Sequence, residues 1–135
     1  MSKKNIAVIM GGFSSEVAIS MLSGNTVCKH LDTSKYTVYP ISIIKEGWFC
    51  SHSDHKPFPV DKSDFSITID GTKIKFDCVF NTIHGTPGED GTFQAYLELL
   101  GIPQTACDYY EAALTFNKRD CISVLSAYGI KTATN

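Results

Sequence analysis

Close to the N-terminus stands a run without a polar residue, Ile6-Ala7-Val8-Ile9-Met10, preceded by Asn5 and stopped by Gly11-Gly12. A strand with one solvated face alternates apolar with polar residues. A strand that is apolar throughout has to be covered on both faces, as at the centre of a parallel sheet. Parallel neighbours require crossover connections, so a helix is expected directly afterwards. Ser14 or Ser15 is placed to cap that helix, and Glu16 falls in its first turn, where a carboxylate suits the helix dipole. Ala18, Met21, Leu22, Val27 and Leu31 supply an apolar stripe, although Gly24 within it costs about 1 kcal/mol relative to Ala. Tyr36 to Ile44 then reads as a second strand and completes a β-α-β unit.

From Lys45 to Phe76 this regularity breaks. An edge strand is expected at Trp48 and Phe49, then a polar loop from Ser51 to Lys56, then a hairpin in which alternating residues flank Asp70-Gly71. The hairpin has too few apolar residues for a core of its own and reads as an elaboration of the sheet. Asp77 to Ile83 is a third core strand, ending in the loop His84-Gly85-Thr86-Pro87-Gly88-Glu89-Asp90-Gly91. Phe93, Tyr96, Leu97 and Leu100 mark one helix face that Gly101 terminates, and a short strand, Ile102 to Ala106, follows. Asp108 with Glu111 resembles a capping box and opens another helix. The pattern restarts near Asn117 with Cys121, Val124, Leu125 and Tyr128, Gly129 supplies a stop, and an extended piece begins at Ile130 to Ala133. An extended piece with nothing after Asn135 is what a truncated chain would show.

The balance of 12 Lys+Arg against 14 Asp+Glu, a net charge of −2, argues against a polyanionic partner such as nucleic acid or an acidic membrane surface. The apolar run before Gly11 is too short for a signal-peptide core or a membrane span, so a cytoplasmic location is expected. Five cysteines, widely separated and without Cys-x-x-Cys, suggest reduced, mostly buried thiols and neither a disulfide framework nor a zinc site.

In open α/β sheets ligands bind outside the carboxyl ends of the strands. Two loops occupy such ends, Gly11 to Glu16 and His84 to Gly91, and their glycines allow close backbone approach. Each feature has a purely structural reading: Gly-Gly as a tight turn, Glu16 as dipole compensation, His84 as a hydrogen-bonded loop imidazole. Together they place a carboxylate and a titratable ring on one rim, with Glu89 close enough in sequence to orient the imidazole. His52 and His55 sit in a polar loop without acidic or cysteine company and read as solvated, Lys118-Arg119 reads as a solvated helix face, and Cys121 reads as core.

These residues carry a resemblance. Gly11-Gly12-Phe13-Ser14-Ser15-Glu16, with Ser20 further on, resembles the first glycine loop of the D-alanine–D-alanine ligases. His84-Gly85-Thr86-Pro87-Gly88-Glu89-Asp90-Gly91-Thr92-Phe93-Gln94 is similar to their His-Gly-x-x-Gly-Glu-Asp-Gly-x-x-Gln signature, and Gly101-Ile102-Pro103, Ala113-Leu114, Lys118 and Gly129-Ile130 continue in the family's order. Gln104-Thr105-Ala106-Cys107 and Phe116-Asn117 stand where the family usually has Tyr-Thr-Gly-Ser and Met-Asp. The resemblance implies a Rossmann-like, pre-ATP-grasp α/β domain over residues 1–106, an open and mostly parallel sheet with flanking helices. Residues 107–135 would begin the ATP-grasp central domain. It implies a ligase of peptidoglycan synthesis that uses ATP and Mg2+ to join two D-alanines through an acyl phosphate and works as a homodimer. By position, Glu16 matches the residue that holds the first ammonium, His84 the histidine near the substrate carboxylates with Glu89 as its support, and Lys118 a lysine that reaches the ATP phosphates. The arginine, the magnesium carboxylates and most of the nucleotide pocket of such ligases lie beyond Asn135. A D-alanine–D-lactate ligase and a flavodoxin-like binding module without catalysis are the rival readings.

Overall fold

The computed structural model describes residues 2–54 and 56–133. Strand β1 (Lys4–Gly11) is followed by α1 (Val17–His30), β2 (Tyr36–Ile44), β3 (Gly47–Cys50) and β4 (Phe58–Pro59). A hairpin of β5 (Ile67–Ile69) and β6 (Thr72–Ile74) comes next, then β7 (Cys78–Asn81), α2 (Thr92–Leu100), α3 (Tyr109–Phe116) and α4 (Lys118–Ala127). Five strands form one sheet in the order β4-β3-β2-β1-β7, and β5-β6 pair separately. β1 runs parallel to both neighbours, in register Ile9 with Ile41 and Ile9 with Asn81, while β3 and β4 are antiparallel additions at one side.

The position of β1 explains its composition. Ile6, Val8 and Met10 face α1, where Met21, Val27 and Cys28 cover them. Ala7 and Ile9 face the larger core, which Ile41, Ile43, Phe65, Ile67, Phe93 and Leu97 complete. Both sides of the strand are therefore dry, as the unbroken apolar run requires. Trp48 belongs to an aromatic cluster in this layer, with ring centroids 5.4 Å from both Phe93 and Tyr96. It is not on the sheet's rim: the two residues of β4 pair outside β3 and form the edge.

Several expectations change. Helix α1 begins at Val17, with Glu16 in the cap position and not in the first turn, and neither Ser14 nor Ser15 caps it. The Ser14 hydroxyl is engaged elsewhere, as described below. Ala18 and Leu22 of the expected stripe are exposed, and the helix buries Ser20 and Gly24 instead. A Cβ on Gly24 would lie 2.7 Å from Met10 Cβ, so the glycine lets α1 approach β1 closely, and its propensity cost is offset by packing. Ile102 to Ala106 forms no strand. It makes one bridge, in which Val79 N–H donates to the Pro103 carbonyl and Thr105 N–H to the Val79 carbonyl.

The expected cap of α3 is present, Asp108 accepting from Glu111 N–H at 3.0 Å, and the structure adds a cap for α4, Asn117 accepting from Asp120 N–H at 3.2 Å. The apolar face of α4 is not core, however. No α4 residue is buried, Cys121 is half-buried, and Tyr128 beyond it is 81% exposed. Cys50 is buried, Cys28 and Cys78 are half-buried and Cys107 is exposed, so the thiols are covered less completely than expected. His52 stacks on Tyr39 at 4.6 Å, whereas His55 lies outside the described residues. Among the described residues no helix is long and apolar enough to cross a membrane.

Candidate active site

β1 and β7 are parallel neighbours, so their carboxyl ends open on the same side, and the two glycine-containing loops leave from there. Three serine hydroxyls tie the first loop and α1 to the second. Ser20, fully buried, accepts from Gly11 N–H and donates to the Thr82 carbonyl, both at 2.8 Å. Ser14 Oγ donates to the His84 carbonyl at 3.0 Å and accepts from Glu16 N–H at 3.1 Å, so one hydroxyl joins the backbones of the two principal candidates. Ser23 Oγ lies 3.3 Å from His84 Nε2. The backbone adds a further tie, Phe13 N–H donating to the Thr86 carbonyl at 2.8 Å.

The second loop is closed on itself. The Thr86–Pro87 peptide bond is cis. The Gly88 carbonyl accepts from Asn81 Nδ2 at 2.8 Å and from Gln94 Nε2 at 2.6 Å, with Gln94 almost wholly buried in the first turn of α2. Burial works against the Asp90 carboxylate, but hydrogen bonds from Thr86 and Thr92 outweigh it and hold the pKa below the usual value.

Glu16 is exposed at the start of α1 and His84 is half-buried beside it in the hydrogen-bond network. Glu89 does not orient the imidazole. Its Oε2 accepts the Gly85 N–H at 2.6 Å, which folds the loop back on itself, and the ring meets Ser23 instead. The reason is reach: a tight turn, with Gly88 and Glu89 N–H groups both donating to the Gly85 carbonyl, holds Glu89 against the backbone of its own loop. Lys118 opens α4 and is exposed. Ser23 and Asn81 are site residues that carried no signal in the sequence, whereas Ser14 and Gln94 stood within the first and second motifs without a role at the site. Hollows of about 290 Å³, lined by Gly12, Phe13, Ser14 and Lys45, and about 390 Å³, lined by Glu89, Gln94, Cys107 and Phe116, adjoin the two loops.

Two loops at the carboxyl ends of parallel strands thus present a carboxylate and an imidazole on one rim of an α/β sheet, the place where ligands of such sheets bind. The sequence profile of the D-Ala–D-Ala ligase N-terminus matches residues 5–107, and the chain belongs to that family. It is 62% identical over 130 residues to the D-alanine–D-alanine ligase of Flavobacterium johnsoniae, covering 96% of this chain and 40% of the relative. The fold matches the crystal structure of D-alanyl-alanine synthetase A from Vibrio cholerae with a TM-score of 0.86 at 33% identity, over 99% of this chain and 40% of that one. It also matches the D-alanine–D-alanine ligase of Bacillus anthracis complexed with ATP, with a TM-score of 0.71 at 29% identity, over 97% and 38%. The chain thus spans about two fifths of the length of the relatives it matches.

Proposed function

We propose that this chain supplies the first amino-acid subsite of an ATP-dependent D-alanine–D-alanine ligase of peptidoglycan synthesis. The observation that carries the reading is the Ser14 hydroxyl joining the Glu16 and His84 backbones across two loops at the carboxyl ends of β1 and β7. In this reading Glu16 pairs with the ammonium of the first D-alanine, and His84 faces its carboxylate end. Glu89 holds the second loop in shape through Gly85 and acts on His84 only by way of the backbone. ATP, as co-substrate, activates the first carboxylate for attack by the second amine. The exposed ammonium of Lys118 is what this chain offers to its phosphates, within residues 107–135 that begin the ATP-grasp central domain. Among the described residues no three His, Cys, Asp or Glu side chains gather as a metal site. The full ligase works in the cytoplasm as a homodimer, which light scattering checks.

The test is made in the full-length protein. Glu16→Gln leaves the ammonium without its counter-charge, and a charged partner removed from a desolvated pair costs about 3 kcal/mol or more. The expected result is a drop of over a hundredfold in kcat/KM for D-alanine, read as ADP release. Unchanged kcat/KM would favour the flavodoxin-like binding module.

A further inference from the structure

Ser23 belongs to the half-buried part of α1, one turn beyond Ser20, and its Oγ lies 3.3 Å from His84 Nε2. Either atom can be the donor, and the surrounding bonds decide between them. Hydroxyls on helices usually send their proton back to the carbonyl four residues earlier, as Thr26 does to Leu22, Thr115 to Glu111 and Ser123 to Arg119 in this same chain. Among the described residues Ser23 makes no such bond. If Nε2–H were the donor, the Ser23 proton would be left without an acceptor in a half-buried position, at a cost of about 1–3 kcal/mol. If the hydroxyl donates, Ser23 and Nε2 are both satisfied, and the one proton left over is the ring's own, on the nitrogen that is free to meet a ligand. Nε2 is then the lone-pair nitrogen, and the ring proton sits on Nδ1, which has no partner among the described residues.

We propose that Ser23 is the positioning residue for His84. Its hydroxyl donates to Nε2 and selects the Nδ1–H tautomer, so that the ring presents a neutral N–H donor to the carboxylate of the bound amino acid. The proposal deepens the ligase reading above and rests on it for the identity of the ligand, but not for the tautomer. A hydroxyl suits this task where a carboxylate would not. Glu89, held by Gly85, leaves the ring with an uncharged partner, and the polarity of the site stays with Glu16 and the ligand.

Two measurements test it. In this chain, labelled with ¹⁵N-histidine and assigned with His84→Gln, the His84 ring is expected to show a protonated Nδ1 and a hydrogen-bonded, unprotonated Nε2. Ser23→Ala is expected to shift the ring toward Nε2–H. An Nε2–H ring in the unsubstituted chain overturns the proposal. In the full-length protein Ser23→Ala is expected to raise KM for D-alanine about tenfold with kcat nearly unchanged, and Ser23→Thr, which keeps the hydroxyl, to restore it. Equal KM for Ser23→Ala and the parent, while His84→Gln impairs ligation, also overturns it. If instead His84→Gln and Glu16→Gln both leave ligation intact, it is the ligase-site reading that fails, and the tautomer result stands by itself.

Discussion

Gly24 shows how a residue's local and tertiary roles oppose each other. In an isolated helix, alanine at this position would be preferred by about 1 kcal/mol. In the folded chain the added methyl would meet Met10 at Cβ as well as at the sulfur and Cε, and the Cβ cannot move out of the way as a side-chain tip can. Overpacking of this kind costs about 1–3 kcal/mol. Gly24→Ala is therefore expected to destabilise the chain by about 1 kcal/mol net, seen as a lower urea midpoint at unchanged m-value. A rise in midpoint would mean that α1 is free to shift outward. The site serines carry the same lesson. Ser14 and His84 are separated by 70 positions and Ser23 and His84 by 61, and no periodicity or spacing relates them. Their pairing exists only because β1 and β7 lie side by side.

At the scale of elements, two glycines separate conformational strain from crowding. Asp70 and Gly71 both have positive φ, 49° and 77°, and make the tight turn of the β5-β6 hairpin that Asp-Gly foretells. A Cβ on Gly71 would meet nothing within 4 Å. Gly91, at φ 91°, caps α2, and there a Cβ would run into the Tyr109 carbonyl at the start of α3. Gly71→Ala is expected to cost about 1 kcal/mol, from backbone strain alone. Gly91→Ala is expected to cost about 3 kcal/mol, because crowding adds to the strain and presses α3 away from α2. Chemical denaturation of both variants checks the order, and near-equal costs would show that α3 docks loosely. Hairpin and helices were legible because their signals are local. The stretch from Ile102 to Ala106 was not, since its apolar residues look the same whether they continue a ladder or make a single bridge to Val79.

For the molecule as a whole, the core sets the response to alkali. Burial pushes the Cys50 thiol up from 9.0 to about 12, with a smaller contribution from Cys28. Burial likewise pushes Tyr96, whose hydroxyl donates to the Lys62 carbonyl, up from 10.0 to about 12. Both groups keep their protons in the fold at pH values where the unfolded chain releases them, so the native state binds more protons through that window. Their stabilising contribution is complete below pH 9.0 and is lost as pH rises toward about 12. The thermal midpoint is expected to fall steadily over this range, and Cys50→Ala, although less stable at neutral pH, is expected to show a shallower decline. A parallel decline in the variant would assign the effect elsewhere.

By itself the sequence determined what depends on neighbours along the chain. An apolar run between Asn5 and Gly11 demands cover on both faces, Asp70-Gly71 turns the chain, Asp108 caps a helix, and the two glycine motifs mark the family. Tertiary structure decided what depends on contacts between distant segments. It placed Trp48 inside an aromatic cluster, left the α4 stripe outside the core, spent Glu89 on its own loop and gave the imidazole of His84 to Ser23. The reason is physical: turns and caps are satisfied within a few residues, whereas burial and the choice of a hydrogen-bond partner depend on which strands become neighbours.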